Sequence, residues 1–466
     1  MKSQILNFRF LSPTCPESPS QAYLMGIRGI LAIQCFLFVF FQLFLPTAVA
    51  DSDNKTGPFY QVILRKTLSV LFWNESFIYS CIIFLSARTT CLTFLKNPNR
   101  TICASSIFRR AVRLSIPTTI ALALSALLFS YADTSYISQF LSDTQNISTT
   151  TPKRLTNALH FLNTLFDLFW VTKDYAKQAS NLAFPSGTLW IVSVLFQQSY
   201  TVYMTMVIIP YTRSSWRVKS FLVFILTAWW VQSWAWYTVS GLLLADMVLN
   251  MDFQAKCQRS LRIGKTKVRV PVWLICGTLV LAGVLLQFLV VAWRPELRNQ
   301  ELKGHTGLYN SGSLNHGVDF EAPLARDDVY LVVVGLMGLV ETYECVKRGL
   351  ENPVLVALGR RSYSKFQSLV AVFGFSESLM FLIGFRFTFP PSVSLLTVSW
   401  DRPVLNSASS SLYRRRQANP PRGRKIQPRD FRPGLFRCMR ASRWAAVRDF
   451  LQTRRCSKYL GGEGGI

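Results

Sequence analysis

The stretch GILAIQCFLFVFFQLFLPTAVA (29–50) decides the fold class of this chain. It contains no Asp, Glu, Lys or Arg, and an α-helix of roughly 20 such residues crosses a hydrocarbon core of about 30 Å. Two further runs, 114–132 and 271–293, are equally free of charge. The sequence therefore predicts an all-α integral membrane protein that passes through the bilayer several times.

Composition supports this class. Of the 466 residues, 50% are apolar and only 16% are charged, which is atypical of soluble globular proteins. The net charge of +27 is unevenly placed, since residues 386–466 hold 17 Lys or Arg against 4 Asp or Glu. Most of the remaining basic residues lie in short loops between apolar runs, as in cytoplasmic loops of membrane proteins. We therefore expect a lipid bilayer, and no nucleic acid, as the partner of this charge.

The basic loops set a predicted topology. Residues 96–113, 213–219, 256–269 and 347–365 are rich in Lys and Arg, and the positive-inside rule places all four in the cytosol. The N-terminus is then cytosolic, and the chain forms a polytopic bundle of about nine transmembrane helices. The predicted spans are 24–48, 68–92, 114–132, 188–210, two short spans within 220–251 that meet at a tight turn near Gln232, 271–293, 329–345 and 366–389. The membrane is the plasma membrane or an endomembrane.

Three segments follow from this topology: a cytosolic N-terminal segment (1–22), a transmembrane domain (23–389), and an Arg-, Pro- and Ser-rich tail (390–466). The tail has too few apolar residues for a core, so we expect it to be disordered. Counting spans places it outside, against the positive-inside rule. Either the last apolar run does not cross, or an error of frame or splicing in the gene prediction produced the tail.

The loops carry weaker signals. Residues 158–171 place apolar side chains at helical spacing and predict an amphipathic interfacial helix. Asn54 and Asn146 head sequons in loops placed outside, where glycosylation is possible. The cysteines form no CxxC pair and no metal-ligand spacing, so neither a metal site nor a disulfide is expected.

Three arginines stand at the ends of apolar runs: Arg28 in YLMGIRGILAIQ (23–34), and Arg110 and Arg113 in FRRAVRLSIP (108–117). A cation beside hydrocarbon is costly to desolvate, so each must anchor an interface or bind something. Arg110 and Arg113 are three residues apart and share a helix face. Anchoring at the cytosolic surface is one interpretation. Binding of a cytosolic anion, such as the phosphates of an acyl donor, is the other.

Five motifs resemble those of the acyltransferase-3 family of multi-pass membrane O-acyltransferases, in its fungal-type branch. They occur in order over residues 23–370: MGIRGILAIQCFLF (25–38), FRRAVRLSIP (108–117), GTLWIVSVLFQQSY (187–200), GLLLADM (241–247) and LVALGRRSYS (355–364).

The resemblance implies transfer of an acyl group from acyl-CoA (acetyl-CoA) to a hydroxyl of a sugar, lipid or small metabolite, with no tightly bound cofactor. It favours donor binding by Arg28, Arg110 and Arg113. The candidates for the substrate-lining surface are Trp190, Ser193, Gln197, Gln198 and Tyr363. Polar groups inside a span more often hydrogen-bond neighbouring helices, which is the alternative role for Ser193, Gln197 and Gln198.

The chain departs from the family pattern where chemistry needs a base. LFVFFQ (37–42) lacks the family's His, Leu195 stands where a Glu is usual, and a late His is missing. Attack by an alcohol on a thioester needs a group that takes the hydroxyl proton. The histidines are His160, His305 and His316, all in outside loops. The main membrane-proximal acids are Glu75, Asp246, Glu341 and Glu344. The catalytic residues are therefore unknown.

Three hypotheses follow. The first is an active membrane O-acyltransferase, and the second is a catalytically inactive relative that binds or scaffolds, or a degraded gene product. The third is a transporter, which is disfavoured because no Gly- or Pro-broken helix pair is visible in the sequence. Two local interpretations complete the picture. AWWVQSWAWY (228–237) is expected to be an interfacial aromatic belt rather than a substrate-lining surface, and Asp246 is expected to pair with a basic residue.

Overall fold

A computed structural model describes residues 21–50, 52–131, 135–171, 175–184, 187–258, 261–262, 269–297 and 323–366. The chain divides into two units, Met1–Pro390 and Pro391–Ile466, and all the described residues belong to the first. The predicted span 366–389 beyond its first residue, the tail 390–466 and residues 1–20 lie outside the described part.

The described residues are mostly helical. In chain order the helices are α1 (Ala22–Phe44), α2 (Phe59–Lys66), α3 (Ser69–Phe72), α4 (Glu75–Lys96), α5 (Arg100–Tyr131), α6 (Ser135–Asp143), α7 (Ala158–Trp170), α8 (Ala179–Leu182), α9 (Trp190–Ile208), α10 (Ser214–Trp230), α11 (Ala235–Asn250), α12 (Phe253–Gln258), α13 (Val272–Phe288), α14 (Asp327–Thr342), α15 (Glu344–Leu350) and α16 (Pro353–Phe366). Two short strands, β1 (Leu261–Arg262) and β2 (Arg269–Val270), pair antiparallel in the basic loop before α13.

Five helical stretches are long and apolar enough to cross a membrane: Ala22–Phe44, Ser69–Lys96, Arg100–Leu127, Trp190–Tyr211 and Val272–Trp293. A sixth, α14 with α15, qualifies only if the bent pair counts as one span. The helical, membrane-type architecture predicted from the apolar runs is therefore present in the described residues.

The tight turn predicted near Gln232 is present. α10 ends at Trp230 and α11 begins at Ala235, so 220–251 contains two short helices as expected. Gln232 has φ +52°, a left-handed conformation that reverses the chain direction. Each helix has 16 or 17 residues, slightly shorter than a typical span.

One predicted boundary is wrong. The basic segment 96–113 was expected to be a cytosolic loop, but α5 begins at Arg100 and continues to Tyr131 as one helix of 32 residues. Pro117 lies inside α5 and cannot donate to the carbonyl of Arg113, which locally interrupts the helical hydrogen bonds. Arg110 and Arg113 therefore lie within a long helix and not in the loop that precedes it.

α4 is the central helix of the bundle, since it packs against α1, α5, α9, α11 and α14. Of the apolar window in Ser69–Lys96, 78% is buried within the protein, against 17% for Val272–Trp293. α13 therefore lies at the periphery, where Leu281 and Leu285 are exposed. An outward apolar face of this size is unfavourable in water, so it fits a helix that faces lipid.

Glycines bring α1 into backbone contact with the end of α15 and with α16. A Cβ atom at Gly26 would overlap the carbonyl oxygen of Leu350, and one at Gly29 would overlap that of Leu355. Gly359 on α16 meets the carbonyl of Met25 in the same way. Small residues allow such close approach between helices, and the glycines of M-G-I-R-G have this packing role here.

The span predicted at 329–345 is broken. α14 ends at Thr342 and α15 begins at Glu344, with a bend of 100° between their axes. Tyr343 at the break is extended, with φ −106° and ψ 118°. The break contains neither Gly nor Pro, so the sequence signal that was sought, a Gly- or Pro-broken helix pair, does not mark it.

The two sequon asparagines tie the loops after α1 and α6 together and to the end of α1. The Asn54 amide donates to the Gln145 carbonyl at 2.6 Å, and the Asn146 amide donates to the Gln42 carbonyl at 2.9 Å. Both side chains are buried. Their amide nitrogens are engaged inside the folded chain, so the expectation that they are open to glycosylation does not hold for this conformation.

The amphipathic helix predicted at 158–171 is α7. It packs inward through Leu168 and Phe169, while Leu159, Phe166 and Trp170 are exposed on its outer side. An apolar outer face is the pattern of a helix that lies at a membrane interface.

We expect Gly26→Leu to destabilise the bundle by about 2 kcal/mol or more, because the added side chain must push Leu350, at the end of α15, away from α1. Gly277→Ala on α13 is the matched control, since its Cβ would meet no atom within 4 Å. That change should be neutral or stabilising by up to about 1 kcal/mol. Thermal unfolding of the detergent-solubilised protein measures both. Equal stability of the two variants would contradict the close contact.

Candidate functional site

Arg28 points into the bundle. Its side chain is 6% exposed, and Nη2 donates to Thr89 Oγ1 on α4 at 2.7 Å. Nη1 lies 3.8 Å from the sulfur of Met25. Gly26 and Gly29 flank it at the contact with α16. The Arg28 guanidinium is buried and bonded to a half-buried hydroxyl, whereas the guanidinium of a surface anchor would be exposed.

Arg110 reaches the same stretch of α4 from α5. Its Nη1 donates to Thr90 Oγ1 at 2.7 Å and its Nη2 to Ser86 Oγ at 2.6 Å. Nη2 also lies 3.3 Å from the carbonyl of Leu195 on α9. Leu195 occupies the position where the family resemblance expects a Glu. Arg110 therefore contacts the backbone at that position, and the Leu195 side chain itself is buried.

Arg113 is half-buried one turn further along α5. The Tyr203 hydroxyl on α9 is 3.1 Å from that of Ser106, which lies one turn before Arg110 on α5. The shared face predicted from the spacing of Arg110 and Arg113 is therefore turned toward α9. The structure brings Arg28, Arg110 and Arg113 to the half of the bundle near the start of α1 and α5 and the end of α4.

A fourth arginine was missed from the sequence. Arg88 lies on α4 with its side chain 2% exposed, and its Nη2 forms an ion pair with Glu341 Oε1 on α14. The same nitrogen donates to the Tyr23 hydroxyl at 3.0 Å, and that hydroxyl in turn donates to Glu341 at 2.9 Å. Lys347 Nζ on α15 is 3.5 Å from Glu341 Oε2. We call Tyr23, Arg88, Glu341 and Lys347 the Arg88 cluster.

A sequence signal for the Arg88 cluster was present. Arg88 is the one charged residue between Glu75 and Lys96, and an ionisable residue inside a span is a functional or structural site by default. Arg88 lies within an apolar run, whereas the arginines singled out from the sequence lie at the ends of such runs. Its partner Glu341 was recognised as an acid near the membrane, but its pairing depends on helix packing that the sequence does not specify.

Part of the Arg88 guanidinium has no partner among the described residues. Nε and Nη1 are buried and make no hydrogen bond there. Each buried donor left unbonded costs about 1–3 kcal/mol. The Arg88 cluster thus combines an ion pair with unused donor capacity.

Other acids are also matched by cations. Asp246 is fully buried and accepts from Arg217 Nη1 at 2.8 Å, which confirms the expected basic partner. Glu344 is exposed near Arg348. His160 is exposed on α7 and faces the Thr156 hydroxyl at 3.1 Å. His305 and His316 lie outside the described residues.

Ser193 and Gln197 hold an outer loop. Gln197 Nε2 donates to the Val171 carbonyl at 2.7 Å, and the Tyr175 hydroxyl donates to Gln197 Oε1 at 2.8 Å. Ser193 is fully buried and lies 3.2 Å from Gln197 Nε2. Burial raises the pKa of Tyr175, so this hydroxyl stays protonated as a donor at neutral pH.

Gln198 is half-buried beside them, and its Oε1 has no partner among the described residues. Tyr363 lies on α16, but its side chain is outside the described part of the structure.

Trp190 belongs to a cluster of rings. Its ring centroid lies 5.2 Å from that of Tyr79 and 5.8 Å from that of Trp234. Trp236 and Tyr237 are buried, and Trp236 stacks on Tyr330 at 4.4 Å. Most of the block 228–237 therefore packs within the protein and not as a belt against lipid headgroups. Trp230, at 43% exposure, is the exception that fits a belt.

Comparison of the chain with protein-family models, curated proteins and solved structures found no match. Within the described residues, no group of three His, Cys, Asp or Glu side chains is placed to hold a metal ion. The side chains of the site are therefore what indicates its chemistry.

Removal of Arg88 alone should cost about 3–5 kcal/mol, because Glu341 then stays buried without its main counter-charge. The double variant Arg88→Met with Glu341→Met should recover most of that loss, since neither charge remains. Denaturant unfolding of the four forms gives the coupling energy. Arg348→Met is the control, because Arg348 is 81% exposed and should change stability by less than about 0.5 kcal/mol. A double variant no more stable than Arg88→Met would contradict the pairing.

Proposed function

We propose that this protein is a membrane-embedded acyltransferase-like protein that binds acyl-CoA (acetyl-CoA) on its cytosolic side. The observation that carries the proposal is the convergence of two arginines from different helices. Arg28 on α1 and Arg110 on α5 donate to the hydroxyls of the consecutive residues Thr89 and Thr90 on α4. Guanidinium groups bind phosphate oxygens through several donors at once, as a CoA headgroup requires.

The proposal includes the topology. Nine spans with a cytosolic N-terminus put Arg28, Arg110 and Arg113 in the cytosolic half of the bundle, where acyl-CoA is present. The five described spans supply the order of the first helices, and the basic loops supply the orientation.

The acceptor in this proposal is a hydroxyl of a sugar, lipid or small metabolite. Trp190, Ser193, Gln197, Gln198 and Tyr363 remain candidates for its binding surface. In the topology above, α9 runs from the outer side toward the cytosol. Trp190 and Ser193 then lie in the outer half of the bundle, so the acceptor would approach from the side opposite the donor.

The main alternative is an inactive relative that binds acyl-CoA or a partner without turnover. The pairing of the buried carboxylates favours it. Glu341 pairs with Arg88 and Lys347, and Asp246 pairs with Arg217, so the oxygens of both carboxylates are already engaged by cations. Acyl transfer moves the acyl carbon from sulfur to oxygen, and the hydroxyl proton must go to a base.

A transporter is the further candidate. The break between α14 and α15, with the Arg88–Glu341 pair beside it, is an arrangement that transporters use near their binding sites. Acyl-CoA binding separates this candidate from the other two.

Purified full-length protein in nanodiscs should bind acetyl-CoA, and Arg28→Ala and Arg110→Gln should each weaken binding by about tenfold or more, because each removes charge-assisted hydrogen bonds to phosphate. Isothermal titration measures the affinity. Arg109→Gln is the matched control, since Arg109 neighbours Arg110 but is exposed, and should change affinity less than about twofold. Absence of acetyl-CoA binding by the intact protein would refute the donor site.

Turnover should be weak or absent, because the described bundle places no His near the arginines of α1 and α5. The assay is release of the CoA thiol from acetyl-CoA with a panel of sugars, lipids and small alcohols, against nanodiscs without protein. Sustained release well above that background would overturn this expectation and point to an active enzyme.

A further inference from the structure

We propose that the Arg88 cluster is a binding site for a small ligand that carries one carboxylate group. This site is separate from the proposed donor site and does not depend on it. It is built by four helices, since Tyr23, Arg88, Glu341 and Lys347 come from α1, α4, α14 and α15.

The Arg88 cluster carries one more positive charge than negative charge. Arg88 and Lys347 supply two positive charges, and Glu341 supplies one negative charge. The buried carboxylate on the neighbouring helix α11, Asp246, is already matched by Arg217. An uncompensated charge in a low-dielectric interior is unfavourable, so a monoanion is the ligand that balances the cluster.

Arg88 has two buried nitrogen donors without a hydrogen-bond acceptor among the described residues. Nη2 is used by Glu341 and Tyr23, while Nε and Nη1 are buried without a partner among the described residues. Carboxylate oxygens accept from guanidinium N–H groups in short, charge-assisted bonds. A neutral amide of the same size could fill the space but would leave the charge unbalanced.

The position of Lys347 gives a direction of entry. Arg88 and Glu341 are each 2% exposed, whereas Lys347 is 18% exposed and its ammonium lies 5.2 Å from the centroid of the Tyr23 ring. Lys347 stands on α15, directly after the bend at Tyr343. Lys347 is thus the member of the Arg88 cluster nearest to the surface, and in the proposal a ligand reaches Arg88 from that side.

The carboxylate is distinguished from the phosphates of the donor by charge. One residual positive charge matches a monoanion, while a phosphate with about two negative charges at pH 7 would leave the cluster net negative.

The experiment uses full-length protein in nanodiscs with acetate as the probe and acetamide as its neutral control. Thermal unfolding is followed as each is added. Acetate should raise Tm by a few degrees in a saturable way, because a ligand that binds only the folded state stabilises it. Acetamide should leave Tm unchanged. Equal shifts with both probes would refute the carboxylate site.

The double variant Arg88→Met with Glu341→Met tests the location without leaving a buried charge behind, and should lose the acetate shift entirely. The variant Arg28→Ala with Arg110→Gln should keep it. The opposite result, with the shift lost only in the second variant, would assign acetate to the donor arginines and overturn the proposal. Acetyl-CoA titration of the same variants keeps the two sites apart, since the Arg88 double variant should retain its affinity within about threefold.

Discussion

The buried pair of Arg88 and Glu341 constrains the packing of the bundle more than any other described contact. Both side chains are almost wholly excluded from solvent. Two charges in such surroundings are stable only as a pair. Removing one partner would leave the other buried and unpaired, at a cost of about 3–5 kcal/mol. α4 and α14 must therefore pack in the register that brings them together. The bend after Thr342 follows, since it returns Lys347 to the same carboxylate.

Two glycines on α1 allow the close packing that the Arg88 cluster requires of this helix. Tyr23 must reach the Arg88 cluster while Arg28, a turn and a half later, reaches Thr89. α1 can pack this closely because Gly26 allows backbone contact with Leu350 at the end of α15, and Gly29 allows it with α16. The pattern G-x-R-G thus has a physical basis in this fold: the glycines admit a neighbouring helix, and the arginine between them is turned toward α4.

The sequence predicted the helical elements better than their relations. Uninterrupted apolar runs located α1, α9 and α13 within a few residues, and the aromatic-rich segment around Gln232 was correctly divided into two helices. The start of α5 was misplaced because basic residues were assigned to a loop, although a long helix can carry them. Arg88 was overlooked and the break at Tyr343 was unexpected. Both depend on contacts between residues some 250 positions apart in the chain, such as Arg88 and Glu341, and no local pattern encodes them.

The two interpretations of the arginines can now be weighed by their present partners. Arg28 and Arg110 donate to neutral hydroxyls, those of Thr89, Thr90 and Ser86. A hydrogen bond of a charged group contributes about 1.5–3 kcal/mol when it is well made, and bonds between two ions are stronger still. Phosphate oxygens would therefore displace the hydroxyls, and the hydroxyls can rebond to their own helix, as Thr89 already does to Leu85. Anchoring gives no reason for such exchangeable partners in the interior, since an anchor is stabilised by water and headgroups at the surface. In the proposed donor site, the burial of Arg28 is therefore the feature that interfacial anchoring explains least.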